Sequence, residues 1–405
     1  MLMMCLMAIT VSNIVIAKGN NINISWLTAQ IKKHPQVMAA KEAMNAQIYQ
    51  AESLTKAIYN PEISADIGNE GPDRTYTLGI NQTIDITNKR DIRKQQAEFL
   101  NLVAKKNYDS LLQNKLSDAL NALNNWQSMK RQSQLIAQQE IQLENLLNIV
   151  KKRTNSGDLG QLDAELAYLS LSQQFGQSAR IHAQLRRVQA QIRELLPDWN
   201  NNDITLSQIQ SNQFIDKNAD VWVDKHPLIE AAKAQWEISL LAAEIANKNK
   251  KADPTFGIEA GKIGSDSVLS LSFSMPLFVR NNFSSQYKAA NQQAMSDEAN
   301  YHAVRRKQLF NIKASQSVLN EYQKRYKRWQ LLMQGRDKNS ASLLQKQWNI
   351  GDISTTQYLL TLQQRTEGLL AGIELQQEYQ SALIQLLQDT AQLYTIQAAT
   401  TETSK

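Results

Sequence analysis

The chain has 405 residues, of which 42% are hydrophobic, and its 14 glycines and 7 prolines are few enough to favour a small number of long elements. The formal net charge is +6, with basic and acidic residues interleaved, which describes solvated helix faces and argues against a nucleic-acid-binding protein. The one cysteine is Cys5, so the chain beyond residue 17 can form neither disulfides nor thiolate metal sites.

Residues 1–17 form an uncharged segment that ends in Val15-Ile16-Ala17, a pattern that a signal peptidase accepts. We therefore expect a signal peptide, cleaved before Lys18, and export of the chain; a short hydrophobic anchor is the alternative. Later apolar runs are all shorter than the roughly 18 residues of a membrane-spanning helix, so any membrane crossing would have to use strands.

The rest of the chain contains an internal duplication. His34-Pro35 and His226-Pro227 open the two copies, and Gly157-Asp158 and Gly351-Asp352 follow their longest helical patterns, at offsets of 192 and 194 residues. Each copy is predicted to hold an opening helix, two strands, a very long helix, a glycine-marked turn and a return helix. The predicted units are a segment at 18–33, the first repeat at 34–196, a linker at 197–225, the second repeat at 226–397 and a tail at 398–405.

Apolar residues at helical spacing predict the helices in chain order. They cover 35–58, 89–155 and 161–196 in the first copy, and 227–251, 284–350 and 354–397 in the second. At about 1.5 Å per residue, each of the two longest helices is a rod on the order of 100 Å. An opening helix stacked on its own return helix has nearly the same length, so we expect each copy to pair one continuous rod with one composite rod as antiparallel coiled coils.

Two alternating segments separate the opening helix from the long helix in each copy, at 61–86 and at 254–278. Apolar residues alternate with Ser, Thr, Gly, Asn and acids, among them Asp85 and Glu259. Strands of this kind are typical of a barrel with lipid outside and water inside, where Asp85 and Glu259 would face the lumen. A soluble hairpin packed on a core is the alternative. Four strands cannot close such a barrel, so the barrel would need several copies of the chain.

In the order and duplicated spacing of these features, the chain resembles the TolC-type outer-membrane efflux proteins, closest to the outer-membrane components of cobalt-zinc-cadmium and copper-silver exporters. The resemblance is carried by the two His-Pro openings, the duplicated strand pairs, Met275-Pro276-Leu277-Phe278, and the turns Ser156-Gly157-Asp158-Leu159 and Ile350-Gly351-Asp352-Ile353. It implies a mainly α fold with a small β part. In a homotrimer, long antiparallel coiled-coil helices would form a periplasmic tunnel, four strands per chain would build a twelve-stranded outer-membrane barrel, and 18–33 and 197–225 would form an irregular belt.

The same resemblance implies the function. The protein would be a passive exit duct of a tripartite efflux system, set in outer-membrane lipid and docked by a periplasmic adaptor (membrane fusion protein) and an inner-membrane resistance-nodulation-division (RND) pump. Heavy-metal cations are the implied substrate, and drugs or secreted proteins are alternatives. A coiled-coil envelope scaffold is the second class of function, because the long rods alone would suffice for it.

The resemblance also implies site residues. Gly157, Asp158 and Leu159, with Gly351, Asp352 and Ile353, would form the adaptor-docking tip, where Leu159 and Ile353 are expected to be exposed apolar side chains. Asp163, with Glu165 nearby, would ring the aperture, and Pro276 would mark the swivel from strand to helix. Two departures stand out: Ile84-Asp85-Ile86 lacks the proline of its counterpart, and the second tip helix starts without acidic residues.

Signals for enzyme chemistry are weak. The segment 257–262 is one residue short of a phosphate-binding loop and falls inside a predicted strand. The four histidines, His34, His182, His226 and His302, lack metal-ligand spacing, and two of them precede prolines at predicted helix starts. We therefore predict a protein that is not an enzyme and has no cofactor or metal site.

Overall fold

The structure is a computed structural model that describes residues 24–200, 218–334 and 340–393. The first half contains α1 (Ile24–Lys32), α2 (Pro35–Thr55), β1 (Glu62–Glu70), β2 (Asp73–Thr83), α3 (Lys89–Asn155) and α4 (Gln161–Leu195). The second half contains α5 (Asp220–Val223), α6 (Pro227–Lys248), β3 (Thr255–Ile263), β4 (Asp266–Ser274), α7 (Ser284–Met333), α8 (Ser340–Asn349) and α9 (Thr355–Asp389). The predicted signal peptide, the tail at 398–405 and most of the linker at 197–225 lie outside the described residues.

The predicted fold class, mainly α with a small β part, is confirmed. The long helix expected over 89–155 has those bounds. Its counterpart, expected over 284–350, is described as α7 and α8, and residues 335–339 between them lie outside the described part of the chain. The strand predictions ran too far, because β2 ends at Thr83 and β4 ends at Ser274.

Both His-Pro pairs start a helix in the same way. The Nδ1 atoms of His34 and His226 each accept a hydrogen bond, at 3.2 Å, from the backbone N–H two residues ahead, and the proline occupies the first turn. A side-chain acceptor satisfies one of the N–H groups that a helix start leaves unpaired, and proline has no N–H to satisfy there. The prediction that these two histidines stand at helix starts is confirmed.

The helices pack as antiparallel coiled coils around α3. Near the strands α3 packs against α2 and α6, and farther along it packs against α4 and α9. The buried positions of α4 recur every three or four residues, the spacing of a heptad seam, apart from one gap of seven between Ile181 and Val188. They are Ala164, Ala167, Leu171, Gln174, Ser178, Ile181, Val188, Ile192 and Leu195.

Two large hydrophobic clusters hold these rods together, and a third, formed by Ile136, Ile181 and Leu370, lies between them. The larger cluster lies midway along them, where α1, α5 and the ends of α4 and α9 meet α3 and α7, and Trp126 there packs edge-on against Trp199 with ring centroids 5.1 Å apart. The smaller cluster lies at the far end, between the tips of α3, α4, α8 and α9. The expectation of an irregular belt at 18–33 is wrong for its described part, because residues 24–32 form helix α1.

The four strands form one antiparallel sheet in the order β1-β2-β3-β4. The central pairing, β2 with β3, joins the two halves of the chain, with Thr75 opposite Ile263 and Thr83 opposite Thr255. As a result β1 and β4, one from each half, form the two outer edges. The sheet therefore sits at one end of the helices as a single layer that both copies build.

Candidate functional site

The two faces of the sheet have opposite chemistry. Residues directly opposite each other in antiparallel strands share a face. On one face the register aligns Ile63, Ile80, Ile258 and Leu271 in one row, and Leu78 and Leu269 in the next. These six side chains are exposed, so the described chain leaves this apolar face uncovered.

The other face is polar and acidic. Every acidic strand residue whose side chain the structure describes lies on it, whereas the two strand cations, Arg74 and Lys262, lie on the apolar face. The acids are Glu62, Asp66, Asp73, Glu259 and Asp266. Gly79 and Gly257 are on the acidic face, and a Cβ added to Gly79 would come within 2.4 Å of the Glu259 side chain. Small residues on one face allow a sheet to curve toward that face.

Asp85 is not on this face. The prediction that it belongs to a strand is wrong, because β2 ends at Thr83 and Asp85 lies in the connector at 84–88. Its carboxylate accepts a hydrogen bond of 2.9 Å from the backbone N–H of Arg90 and another from the hydroxyl of Thr87. A carboxylate at this place satisfies a free N–H at the start of α3 and interacts favourably with the helix dipole.

The two connectors from strand to helix differ in length and in their setting. The first, at 84–88, has five residues, and the second, at 275–283, has nine and contains Pro276. Both end in a residue with a left-handed backbone, Asn88 and Phe283, each with φ of 57°. Phe283 packs edge-on against Phe278 at 4.7 Å between ring centroids, and most of the second connector is exposed.

A buried ion pair ties the first connector to the second half of the chain. Lys89, the first residue of α3, donates from Nζ to Oδ2 of Asp253, and both side chains are more than nine-tenths buried. The hydroxyl of Tyr59 donates to the same oxygen at 2.7 Å. Burial and the Asp253 carboxylate raise the pKa of Tyr59 to about 12. We call Tyr59, Lys89 and Asp253 the junction node; sequence reasoning missed it because Asp253 is more than 160 residues from both of its partners.

The turns at the far end of the helices are alike in the two copies. Gly157 has φ of 79° and Gly351 has φ of 84°, a conformation that side-chain-bearing residues rarely adopt. In both turns the glycine N–H donates to the carbonyl three residues back, at 3.1 Å, and the aspartate N–H donates to the carbonyl five residues back, at 2.9 Å. These bonds satisfy carbonyls that a helix end would otherwise leave free. Gly157, Asp158, Gly351 and Asp352 are all exposed.

The expectation that Leu159 and Ile353 are exposed knobs is wrong. Both are half-buried and pack against the cluster at the tip. Asp163 lies in the first turn of α4 and is half-buried, whereas Glu165 is exposed. Exposed apolar side chains at this end belong to other positions, including Leu162 and Ile350.

Besides the hydrophobic cluster, a polar contact joins the end of α3 in the first copy to α8 in the second copy. The guanidinium of Arg153, at the end of α3, lies 5.0 Å from the ring centroid of Trp348 in α8, and it donates to the carbonyl oxygen of Asn349 at 3.2 Å. A cation above an indole ring is attracted to the ring's electron-rich face. The contact therefore holds the hairpin α3–α4 beside α8, and no local pattern in the sequence identified it.

Within the described ranges, no helix combines the length and apolarity that a membrane span requires. In the same part of the chain, no three His, Cys, Asp or Glu side chains are grouped closely enough to hold a metal ion.

Comparison with solved structures finds outer-membrane channels with the same fold. CusC, described for the conformational changes that accompany folding and transmembrane channel formation, superposes with a TM-score of 0.77 at 12% identity, over 92% of this chain and 92% of that chain. The outer-membrane channel OprN has a TM-score of 0.75 at 14% identity, over 91% of this chain and 89% of that chain. The outer membrane protein VceC of Vibrio cholerae has a TM-score of 0.72 at 14% identity, over 91% and 95%.

No family model and no curated protein sequence matches the chain. The shared fold therefore spans nearly the whole of each molecule, although the sequence identity is only 12–14%. The chain has the fold of outer-membrane efflux channels of the TolC type: long paired helices below a four-stranded sheet.

Proposed function

We propose that the chain is the protomer of a trimeric exit duct in the bacterial outer membrane, serving a tripartite efflux system and performing no enzymatic reaction. The observation that carries this proposal is the sheet, which has one exposed apolar face, one acidic face and two unpaired edges. The shared fold with outer-membrane channels supports it. The envelope scaffold is disfavoured, because a scaffold built of rods needs no two-faced sheet.

The edges of the sheet argue for the trimer. Strands β1 and β4 each have a partner on one side only among the described residues. Unpaired backbone groups in lipid cost several kcal/mol each, so the edges must be joined, and the simplest partner for β4 is β1 of another copy. Three copies supply twelve strands, within the range of closed membrane barrels. The acidic face, which carries the close-set glycines, would then line the lumen.

The distribution of charge supports a cationic substrate. The charged strand residues described on the proposed lumen face are all acids, and a ring of acidic side chains favours cations and repels anions. Metal cations, the substrate that the family resemblance implies, fit this face better than anionic drugs do. We expect Glu259→Gln to reduce the cation selectivity of the channel in planar bilayers, with Ser270→Asn, at the opposing position on β4, as the control. Selectivity unchanged by loss of the Glu259 charge would contradict the cationic lumen.

Neighbouring residues of β4 test the orientation of the sheet. Leu271 is on the apolar face and Ser272 is on the acidic face. Leu271→Arg is expected to cost roughly 2–4 kcal/mol near the bilayer midplane and to lower the yield of trimer. Ser272→Arg is expected to leave the trimer intact and to alter single-channel conductance. A stable monomer of the unsubstituted protein in detergent would contradict the proposal. Equal effects of the two substitutions on the yield of trimer would also contradict it.

We place adaptor docking at the tip turns. The exposed groups there are Gly157, Asp158, Gly351 and Asp352, joined by the exposed Ile350. Leu159 and Ile353 pack against the hydrophobic cluster beneath the turns. Leu159→Asp and Ile353→Asp are therefore expected to destabilise the packing of the tip as well as abolish efflux. Ile350→Asp is the cleaner test, and we expect loss of cross-linking to the periplasmic adaptor at normal trimer yield. Cross-linking at the normal level would exclude Ile350 from the docking surface.

The same tip is the proposed aperture. Asp163 occurs once per chain, and three copies would form a ring of carboxylates if it faces the lumen, with Glu165 adding charge nearby. We expect Asp163→Ala to lower cation selectivity, and Asp163→Glu to retain it. Pro276, in the exposed second connector, is the proposed swivel between sheet and helix, and an inner-membrane RND pump would supply the energy for transport.

A further inference from the structure

The exposed apolar face does not end where the sheet ends. Along β4 the apolar residues alternate with serines, and every second residue stays apolar past the last strand residue, Ser274, through the second connector, where Pro276 and Phe278 replace the serines. The exposed apolar positions in this column are Leu269, Leu271, Phe273, Met275, Leu277 and Val279. Leu277 is 79% exposed and Val279 is 86% exposed, which matches the 83% of Leu271 in the sheet itself.

The first connector repeats the pattern on a smaller scale. Ile84 and Ile86 continue the alternation of β2 beyond its last strand residue, and both are exposed. Asp85, between them, instead turns to the start of α3. Both connectors thus carry the apolar face of the sheet toward the helices beyond the last strand residues, and in the first connector the backbone N–H of Ile84 still donates to the carbonyl oxygen of Pro254 at 2.9 Å.

The length of this apolar column can be compared with the thickness of the apolar part of a membrane. From Leu269 to Phe273 the strand advances four residues, about 13 Å, or about 10 Å along a membrane normal at a tilt near 40°. That is well short of the apolar band of about 25 Å that lipid requires. A fully extended chain from Leu269 to Val279, where the second connector bends, would advance ten residues, at most about 33 Å, or about 25 Å along the normal at the same tilt. The apolar part of β4 alone is therefore shorter than the band, whereas the apolar column continued through the connector reaches its height.

Cations surround the place where the apolar column stops. Arg280 directly follows Val279 and is exposed. Arg90 lies beside the end of α2, with its Nε 3.4 Å from the carbonyl oxygen of Thr55, and Lys250 lies 4.1 Å from the ring centroid of Tyr287 near the start of α7, with the exposed Lys251 next to it. Three segments thus bring Arg90, Lys250, Lys251 and Arg280 close, in sequence or through contact, to the starts of α3 and α7, and we call these four cations the junction collar. Cations at the end of an apolar band suit anionic lipid headgroups.

From these observations we infer that the strand-to-helix connectors lie within the membrane and that the junction collar binds anionic phospholipid headgroups, so that the membrane boundary falls at the start of α3 and α7. The inference rests on the proposed function and adds to it the position of the boundary and the chemistry of the lipid. The junction node lies at the same level, where a buried ion pair fixes the start of α3 while the second connector remains in contact with lipid.

Accessibility of single labels tests the position of the connector. Nitroxide labels are placed at Leu277→Cys and Val279→Cys in the full-length trimer, with Cys5 replaced by serine, in nanodiscs of phosphatidylethanolamine and phosphatidylglycerol. We expect collision with oxygen to exceed collision with a water-soluble nickel chelate at both sites, as at the sheet control Leu271→Cys. The opposite result is expected at Leu331→Cys, an exposed apolar position about 70 Å along α7.

The outcomes separate the two levels of the proposal. A lipid-exposed label at Leu271 with water-exposed labels at Leu277 and Val279 would overturn the inference and leave the duct intact. Labels at Leu277 and Val279 that neither reagent reaches would also overturn it, because a second copy would then cover the connector. A water-exposed label at Leu271 would overturn the duct itself.

Lipid binding tests the collar. Removing one cation near a membrane surface is expected to weaken binding of an anionic lipid about fivefold. We therefore expect Lys251→Gln and Arg280→Gln to lower the amount of phosphatidylglycerol retained by the purified trimer in native mass spectrometry, with retention of phosphatidylethanolamine unchanged. Lys324→Gln and Arg328→Gln, exposed cations about 60 Å along α7, serve as the matched control. Equal retention in both sets of variants would remove the collar as a lipid site.

Discussion

The junction node allows a sharp test of how the sheet is fixed to the helices. Asp253 is 7% exposed and Lys89 is 6% exposed, so truncating one partner leaves the other as a buried charge. Breaking a buried ion pair in this way costs about 3–5 kcal/mol, far more than the pair contributes relative to an apolar replacement. Asp253→Ala and Lys89→Met are each expected to show a loss of this size.

The two single variants, the double variant and the unsubstituted protein form a double-mutant cycle, in which the double variant is decisive. With both charges removed, neither side chain is left uncompensated, so the loss in Lys89→Met with Asp253→Ala is expected to be well below the sum of the single losses. Tyr59→Phe removes a hydrogen bond to a charged group and is expected to cost about 1.5–3 kcal/mol. The Oδ1 atom of Asp253 has no hydrogen-bond partner in the described structure, so both donors depend on Oδ2.

Guanidinium unfolding of the detergent-solubilised protein, followed by far-ultraviolet circular dichroism, gives the four free energies of unfolding in the cycle. Lys94→Met is the surface control, because Lys94 forms an exposed pair with Asp91, and solvent screens such pairs so that they contribute little to stability. Additive losses in the double variant would refute the coupling. A loss in Asp253→Ala no larger than that in Lys94→Met would refute the buried pair altogether.

Three further predictions concern the helices. Burial lowers the pKa of His226 below its ordinary value of 6.5, so the stability that the neutral side chain contributes is present above about pH 6.5 and is lost as the pH falls below that value. His226→Asn keeps a capping acceptor, and it is expected to make the free energy of unfolding less dependent on pH below about pH 6.5. Gly372→Ala would place a Cβ 1.9 Å from the ring of Trp329 and is expected to lower the free energy of unfolding by about 1–3 kcal/mol. Gly368→Ala, one turn away in open space, is expected to stabilise α9 by up to about 1 kcal/mol. Equal melting temperatures of the two variants would contradict this packing. Asp85→Ala removes the acceptor at the start of α3 and is expected to lower the free energy of unfolding by about 1 kcal/mol, and Asp85→Asn is expected to recover part of it.

Much of the fold could be predicted from the sequence because its signals are local. A His-Pro pair encodes a helix start within three residues, a glycine with a left-handed backbone encodes the turn after α3, and alternation along β4 encodes its two faces. The duplication doubled each of these signals, so the long helix at 89–155 was predicted with its observed bounds. The same alternation misled at the strand ends, since Asp85 continues the pattern of β2 after the hydrogen-bonded strand has stopped.

What the sequence could not decide is which distant residues meet. Asp253 and Lys89 cannot form this ion pair within their own repeats, where Asn60 and Ser284 occupy the corresponding places, and only the pairing of β2 with β3 brings them together. Leu159 and Ile353 follow exposed turns, yet packing among four helices covers them. Capping and alternation act over a few residues, so the sequence alone determined the elements; burial and ion pairing depend on which surfaces face one another, so only the tertiary structure decided the node, the linked tips and the apolar face that continues beyond the sheet.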